Sequence, residues 1–495
     1  MEVVLAARVL KEIDRRAVEE YLIPGIILME NAAERMFQVL DKRFKPCSVA
    51  VLAGKGNNGG DGMVLARKLF QAGFSVSLYI LAVSEAELSP ESKTNFNILQ
   101  KLEIPFQFLR SDNFNSFQAT ILSHELILDA MTGIGLTGPL KGLTKDVVDF
   151  LNTAYLGTVV AVDVPTGLGT DEEYFESVLN AHLTISVESY KPHMLDYPGK
   201  SHCGEIIIVK IGFPGPLLAN AGAYGFLLEQ KDIKKPIRNR DSHKGSYGRV
   251  LVLSGSEGYS GAPALALEGA LKSGAGYVYY AGFWREHLRG KFSEVVFVRE
   301  EDLRLNDFDC VLAGPGWGLA PSREEMLFRL LDEYDGKLVL DADALTLVAK
   351  TPLLKAKLKQ KKQVILTPHL GEGARFFETE PEKLKRNKFK YLRQFQEEYP
   401  HAILLLKDTV SLLALARGIF YLPWGSAFLA RAGSGDLLCG LLAGFAAYQD
   451  LAQAAGLAVY LNGRAAELAE NEKGAIGYDH SLLVSYYGKA FRELT

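Results

Sequence analysis

Five short stretches carry residues whose types and spacing could do chemistry. GKGNNGGDG (Gly54–Gly62) sets Gly54, Gly56 and Gly59 at the spacing of a dinucleotide loop. Glycine suits such a loop because the backbone must turn and approach a ligand with no Cβ in the way. The N–H groups that open the following helix then face an anion such as a phosphate. Asn57, Asn58 and Asp61 add polar side chains that could orient a ligand or bind a cation. An ordinary NAD site would close the next strand with an acidic residue, but SVSLYIL runs into Ala82, Val83 and Ser84. DAMTGIGLTGP (Asp129–Pro139) and DVPTGL (Asp163–Leu168) each put an aspartate at the end of an apolar run beside glycines. One such aspartate is commonly a helix cap; three loops of this kind on one sheet edge predict a site. In the second half, LTPHLGE brings His369 and Glu372 to a strand end, and RAGSGD (Arg431–Asp436) runs directly into a helix. Exposed N–H groups there form an anion hole for a phosphoryl group, and the Asp436 carboxylate can take a proton from an attacking hydroxyl. No GxxxxGK[ST] loop occurs, so this is not a P-loop site.

The elements that must hold these residues are those of an α/β chain. SVAVLAG, SVSLYIL, LILDAM, TVVAVDVP and EIIIVKIG are short apolar runs bounded by turn residues, the pattern of parallel strands buried on both faces. Ligands in such sheets bind beyond the carboxyl ends of the strands. Ahead of them, Leu5 to Leu40 has helical periodicity broken at Pro24-Gly25, with Ile13, Ala17 and Tyr21 on one face. Glu30 and Asn31 are read there as a cap or a pocket wall. A Gly-, Pro- and Ala-rich stretch followed by a charged one marks a boundary near Phe213 to Pro236. The expected division is 1–222 and 223–495. RVLVLSG, DCVLAGPG, KLVLDADAL, QVILTPH and AILLLK then form a second strand series. Asp341 and Asp343, in LDADAL, either face the cleft or cap a helix.

The chain has 495 residues, beyond the roughly 250–300 at which a single core stops growing. Its 55 Lys and Arg against 59 Asp and Glu leave a net charge of −4, which argues against nucleic-acid and membrane-surface partners. The basic runs KAKLKQKK and KLKRNKFKYLR read as solvated helix faces. Four scattered cysteines form no metal spacing and fit a reducing cytoplasm. No apolar run reaches the roughly 18 residues of a membrane span.

The LMENA helix, GKGNNGGDG, DAMTGIGLTGP and AVDVPTGL resemble, in order and spacing, the NAD(P)H-hydrate epimerase family. That resemblance implies a Rossmann-like three-layer αβα domain. It implies a potassium ion held by Asn58, Asp129 and Thr166, the last often serine in the family. The damaged nucleotide's phosphates would lie against Asn57, Asn58, Gly59, Gly60 and Asp61 and against Gly133, Ile134, Gly135, Leu136, Thr137, Gly138 and Pro139. Asp163 would be the acid/base. GSGD near the end of the chain resembles the ribokinase-like superfamily, also three-layer αβα. HKGSYGRVLVLSGS, SGAPALA, AGPGWG, LDADAL, LTPHLGE and AGSGD narrow this to the ADP/ATP-dependent NAD(P)H-hydrate dehydratases. By that resemblance Ala262, Gly318 and His369 touch the hydrated nucleotide. Lys407, Asp408, Thr409, Val410, Ser411, Ser434 and Gly435 hold ADP or ATP with magnesium, Glu372 positions a magnesium-bound water, and Asp436 is the acid/base. Three departures fall on this site: Lys407-Asp408 for Lys-Gly, Arg431-Ala432 for Thr-Gly or Gly-Gly, and His-Leu-Gly for His-Pro-Gly. The implied protein is both isomerase and lyase, taking NADHX or NADPHX and ADP or ATP, in a homo-oligomer of four or more subunits. The alternative is a small-molecule kinase with an N-terminal regulatory domain, sharing GSGD but releasing a stable phosphate ester.

Overall fold

The computed structural model describes residues 1–169, 171, 176–474, 476–477 and 479–494. It comprises two compact units, Glu2–Gly225 and Phe226–Thr495.

In the first unit seven strands form one parallel sheet. Its order is Phe106–Phe108, Ser75–Ile80, Ser48–Ala53, Leu126–Ala130, Thr158–Val162, Leu183–Val187 and Glu205–Val209. Side chains alternate between the faces of a strand, and the central strand shows the consequence. Val49, Val51 and Ala53 enter one core with the helices Gly25–Arg43, Asn57–Gln71 and Pro90–Lys101. Ala50 and Leu52 enter another with Phe114–Leu122 and Gly142–Ala154. The result is the expected three-layer αβα arrangement. The strands Phe106–Phe108 and Leu183–Val187 are additions to the five legible in the sequence. Leu183–Val187 is hidden because LTISVES intersperses polar residues; Thr184 and Ser186 are nonetheless fully buried, with their hydroxyls donating to the carbonyls of Cys203 and Ser189.

The opening segment folds as the helices Ala7–Glu19 and Gly25–Arg43. Ile13 and Ala17 are buried, but Tyr21 lies beyond the first helix and is 42% exposed. Glu30 and Asn31 are neither cap nor cleft wall, because the second helix starts five residues earlier than Glu30. Glu30 pairs with Lys68 at 2.7 Å and also with Arg67, and Asn31 Nδ2 donates to the Ile211 carbonyl at 3.1 Å.

In the second unit a largely parallel sheet runs Gly418–Leu422, Ser411–Leu415, Ala402–Leu406, Val364–Leu366, Lys337–Leu340, Cys310–Ala313, Arg249–Leu253, Tyr277–Ala281 and Val295–Phe297. The antiparallel hairpin Ser411–Leu415/Gly418–Leu422 lies near one end, where Phe226 and Leu227 pair in parallel alongside Phe420 and Tyr421. Val250, Val252, Leu312 and Ile365 face the helices Gly261–Lys272, Ser434–Ala446 and Leu451–Lys473. Leu251, Val311 and Leu338 are equally buried on the opposite face. The basic runs are not wholly solvated: Lys361 and Lys388 are 8% and 3% exposed. Lys361 donates to the Leu330 and Tyr334 carbonyls. Among the described residues no helix is long and apolar enough to cross a membrane.

Candidate active sites

In the first unit, the carboxyl ends of the central strands open into a cleft of about 550 Å³, within the size range of a small-ligand site. Asn57, Asn58, Asp61, Gly133, Asp163 and Lys191 line it. Gly59 and Gly60 face away, into packing: a Cβ on Gly59 would lie 1.9 Å from the Gly54 carbonyl oxygen, and one on Gly60 2.6 Å from Met29. Ile134, Gly135 and Leu136 also line the cleft, whereas Thr137, Gly138 and Pro139 continue beyond its wall.

Asp163 follows the strand Thr158–Val162 with φ +68°, a left-handed conformation that aspartate tolerates but that is uncommon outside functional turns. Its N–H donates to the Ile185 carbonyl at 2.9 Å. Its Oδ1 accepts from Lys191 Nζ at 2.5 Å and from the Val187 N–H at 2.9 Å. Lys191 is 5% exposed, and burial lowers its pKa from the ordinary lysine value against the pull of Asp163. Its other acceptors are Ser186 Oγ at 2.7 Å and the Val187 carbonyl at 2.8 Å, so all three ammonium protons are used. Sequence reasoning missed Lys191 because it missed the strand that ends at Val187; the signal was SYKPH, a lysine and a proline directly after that strand.

Beneath the cleft Asp129 is fully buried. Thr166 Oγ1 donates to its Oδ1 at 2.6 Å and the Thr166 N–H to its Oδ2 at 2.7 Å. Burial raises the Asp129 pKa to about 6, with the Thr166 bonds opposing. Asn58 borders the loop that follows Asp129: a Cβ on Gly133 would stand 3.1 Å from Asn58 Oδ1, and Asn58 Nδ2 is buried without a partner. Among the described residues no cation pairs with Asp129. A buried carboxylate, an amide oxygen and a hydroxyl with a lone pair to spare make a hard oxygen donor set, which fits an alkali cation.

In the second unit the glycine turn before Ser434–Ala446 depends on Gly433, whose φ is +93°. Asp436 lies in the first turn of that helix, half-buried. Burial raises its pKa to about 7, with Asp341, Glu372 and Asp343 adding to the rise and Lys407 opposing it. Ser434 Oγ is buried and unpartnered. Lys407 Nζ bonds Asp341 Oδ1 at 2.7 Å and stands 3.3 Å from where a Cβ on Gly435 would be. Asp341 stands at the N-cap position of the helix Ala342–Lys350 but makes no side-chain capping bond; its carboxylate is turned to Lys407, and Thr367 Oγ1 also donates to it at 2.9 Å. Burial works against the Lys407 ammonium, yet Asp341, Cys439 and Glu372 hold its pKa above the ordinary value. Asp343 accepts from the Gly318 N–H at 2.8 Å and so fixes that glycine. A Cβ on the neighbouring Gly316 would stand 3.0 Å from the Ala262 Cβ, so Ala262, Gly318 and Asp343 belong to one wall.

His369 caps the helix Leu370–Phe376: its Nδ1 accepts from the Gly371 N–H at 3.0 Å, and Glu372 Oε2 accepts from its own N–H at 2.9 Å. The ring is 57% exposed, and its Nε2 stands 3.4 Å from Glu372 Oε1. Burial and the nearby Lys407 lower its pKa, while burial and Asp341 raise that of Glu372. Asp408 pairs with the buried Lys388 at 2.5 Å, a partner that the sequence did not suggest. Thr409 is exposed, whereas Val410 and Ser411 are buried at the start of the hairpin. Among the described residues no cluster of three or more His, Cys, Asp or Glu side chains could hold a metal.

Residues 250–488 match the family described as NAD(P)H-hydrate dehydratase, and residues 25–193 match the YjeF-related protein N-terminus. The bifunctional NAD(P)H-hydrate repair enzyme of Moorella thermoacetica is 33% identical over 492 residues, covering 94% of this chain and 92% of that protein. That of Coxiella burnetii is 33% identical over 491 residues, covering 96% and 97%. The ADP/ATP-dependent NAD(P)H-hydrate dehydratase of Bacillus subtilis, co-crystallised with ATP and Mg2+, superposes with a TM-score of 0.49 at 26% identity, covering 55% of this chain and 99% of that one. With a third of the residues identical across nearly the full length, the chain belongs to the family of bifunctional NAD(P)H-hydrate repair enzymes.

Proposed function

We propose that the first unit epimerises the R- and S-hydrates of NADH and NADPH, and that the second dehydrates the S-form at the expense of ADP or ATP. One observation carries the dehydratase half: Asp436, without a donor or ion pair among the described residues, lies in the first turn of a helix behind a glycine turn, with its pKa raised to about 7. A carboxyl held near neutral pH is suited to take a proton from the substrate hydroxyl as the phosphoryl group arrives. The N–H groups of Ser434 and Gly435 and the unpartnered Ser434 hydroxyl are donors for the phosphoryl oxygens, and Lys407 adds a buried cation beside them. The new phosphate ester then leaves as phosphate while the neighbouring carbon gives up a proton, restoring the ring double bond. With no protein cage for a divalent ion, magnesium would arrive on the nucleotide's own phosphates. The adenine nucleotide would lie along Lys407 to Ser411, with Ala262, Gly318 and His369 against the hydrate.

In the first unit Asp163 is the base, oriented by Lys191. Phosphates would lie at the N-terminus of the helix that opens at Asn57 and along the loop after Gly133. Asn58, Asp129 and Thr166 would hold potassium, which supplies a fixed positive charge beneath the substrate's anionic groups. Four unpaired cysteines support a reducing cytoplasmic setting. The homo-oligomer of four or more subunits rests on family resemblance.

The test is recovery of nicotinamide absorbance from a mixed R/S hydrate stock, with ADP or ATP supplied separately. Near-complete recovery with one nucleotide is the expected result. Recovery of only the S-half would refute the epimerase, and a stable phosphate ester without recovered absorbance would refute the dehydratase in favour of a kinase.

A further inference from the structure

Three carboxyl groups, Asp14, Asp61 and Asp163, line the first-unit cleft, and the last two sit in different settings. Asp163 is held by Lys191 and the Val187 N–H. Asp61, the fifth residue of the helix Asn57–Gln71, lines the same cleft, and among the described residues no donor or cation pairs with it. Lys191 cannot serve both, since its three ammonium protons are already taken by Asp163, Ser186 and Val187. The helix Ala7–Glu19 brings Lys11 and Asp14 to this cleft, and Asp14 lies within the electrostatic reach of Glu91. Burial, then the charges of Asp163 and Asp14, push the Asp61 pKa well above the ordinary carboxylate value. A substrate phosphate against Asp61 would add another anion to Asp163 and Asp14, so the side chain is poorly placed for phosphate and well placed to donate a proton. Carboxyls whose surroundings separate their protonation states divide acid from base.

We propose that Asp61 is the general acid of epimerisation, protonating the departing hydroxyl while Asp163 acts as the base; this rests on the epimerase reading of the cleft. Hydration of a dihydropyridine enamine leaves the hydroxyl on a carbon bonded to the ring nitrogen. Asp61 gives its proton to that hydroxyl, the C–O bond breaks, water leaves, and the nitrogen lone pair forms C=N+. Water adds to the opposite face, the C=N+ electron pair returns to nitrogen, and Asp163 takes the proton of the adding water. A proton returned from Asp163 to Asp61 through solvent restores the start, and no oxidant or reductant is consumed.

The test uses the full chain with Asp61→Asn and Asp61→Glu, assayed on R-hydrate, on S-hydrate with ADP or ATP, and for equilibrium binding of NADPH. Asp61→Asn is expected to slow epimerisation about 100-fold or more, the usual scale of lost acid catalysis. Asp61→Glu should recover part of the rate, with NADPH binding and S-hydrate dehydration unchanged. In the wild type, the rate should fall as pH rises through the Asp61 pKa, and heavy oxygen from labelled water should enter the hydroxyl in step with inversion. An Asp61→Asn variant within about threefold of wild type would overturn the proposal. So would parallel loss of NADPH binding, or inversion without oxygen exchange. A wild type that never converts R-hydrate would instead overturn the epimerase reading itself.

Discussion

Asp436→Asn should stabilise the protein while abolishing dehydration. The folded carboxyl titrates near 7 in place of its ordinary 3.8, so between those values the folded protein holds a proton that the unfolded chain has released. Stability therefore falls as pH rises from about 4 to about 7, and the penalty is complete above the folded pKa. At about 1.36 kcal/mol per pKa unit the full penalty is about 4 kcal/mol, and the side chain's partial contact with water reduces it to roughly 2 kcal/mol. A neutral amide escapes that penalty. With about 2–4 °C per kcal/mol for domains of roughly this size, the variant should melt about 4–8 °C higher at pH 8. The gain should grow between about pH 4 and 7 and level off above. Calorimetry of the full chain across that range, beside both activity assays, measures it. Dehydration should drop about 100- to 10,000-fold with loss of the base, and epimerisation should be unchanged. A variant that melts below wild type at pH 8, or a difference that does not vary with pH, would refute the assignment of a strained ionised carboxyl. Surviving dehydration would refute its chemical role.

Two further outcomes follow from the same geometry. Lys388→Met leaves Asp408 without the partner that now stands 2.5 Å away, which should destabilise the second unit by about 3–5 kcal/mol and raise KM for ADP or ATP by roughly tenfold through an uncompensated negative charge. The double variant Lys388→Met/Asp408→Gly should recover both; an unchanged KM in the single variant would mean that Asp408 does not face the nucleotide. Exchange of potassium for choline should slow epimerisation and leave dehydration unchanged, and an epimerase indifferent to that exchange would refute a cation at Asn58, Asp129 and Thr166.

The sequence made the loops legible because each loop's chemistry is local. A glycine turn entering a helix, or an aspartate ending an apolar run, is written in a few consecutive residues, so Asn58, Asp129, Asp163 and Asp436 stand out unaided. What it left hidden are partners supplied by distant segments. Lys191 follows a strand whose inward Thr184 and Ser186 do not read as apolar, because the carbonyls that satisfy them are visible only in the fold. Lys388 looks like one more charge in a basic run until helix packing buries it against Asp408. Asp341 reads equally well as cap or site residue until Lys407, sixty-six positions later in the chain, is brought to it. The departure at Asp408 hides its partner for the same reason: its neutralising lysine comes from another segment.

The two sites solve one electrostatic problem in the same way. Each contains a carboxylate tied to a buried lysine, Asp163 to Lys191 and Asp341 to Lys407. Each also contains a second carboxyl near a helix start, Asp61 or Asp436, with which no cation pairs among the described residues. One ammonium can neutralise one carboxylate in a poorly solvated cleft; the other must then bear both burial and the repulsion of its neighbour, which raises its pKa. The helix N-terminus moderates that rise without cancelling it, since its partial charge is only about half a unit. The lysine thereby decides which carboxyl is ion-paired and which is left to exchange a proton with a substrate.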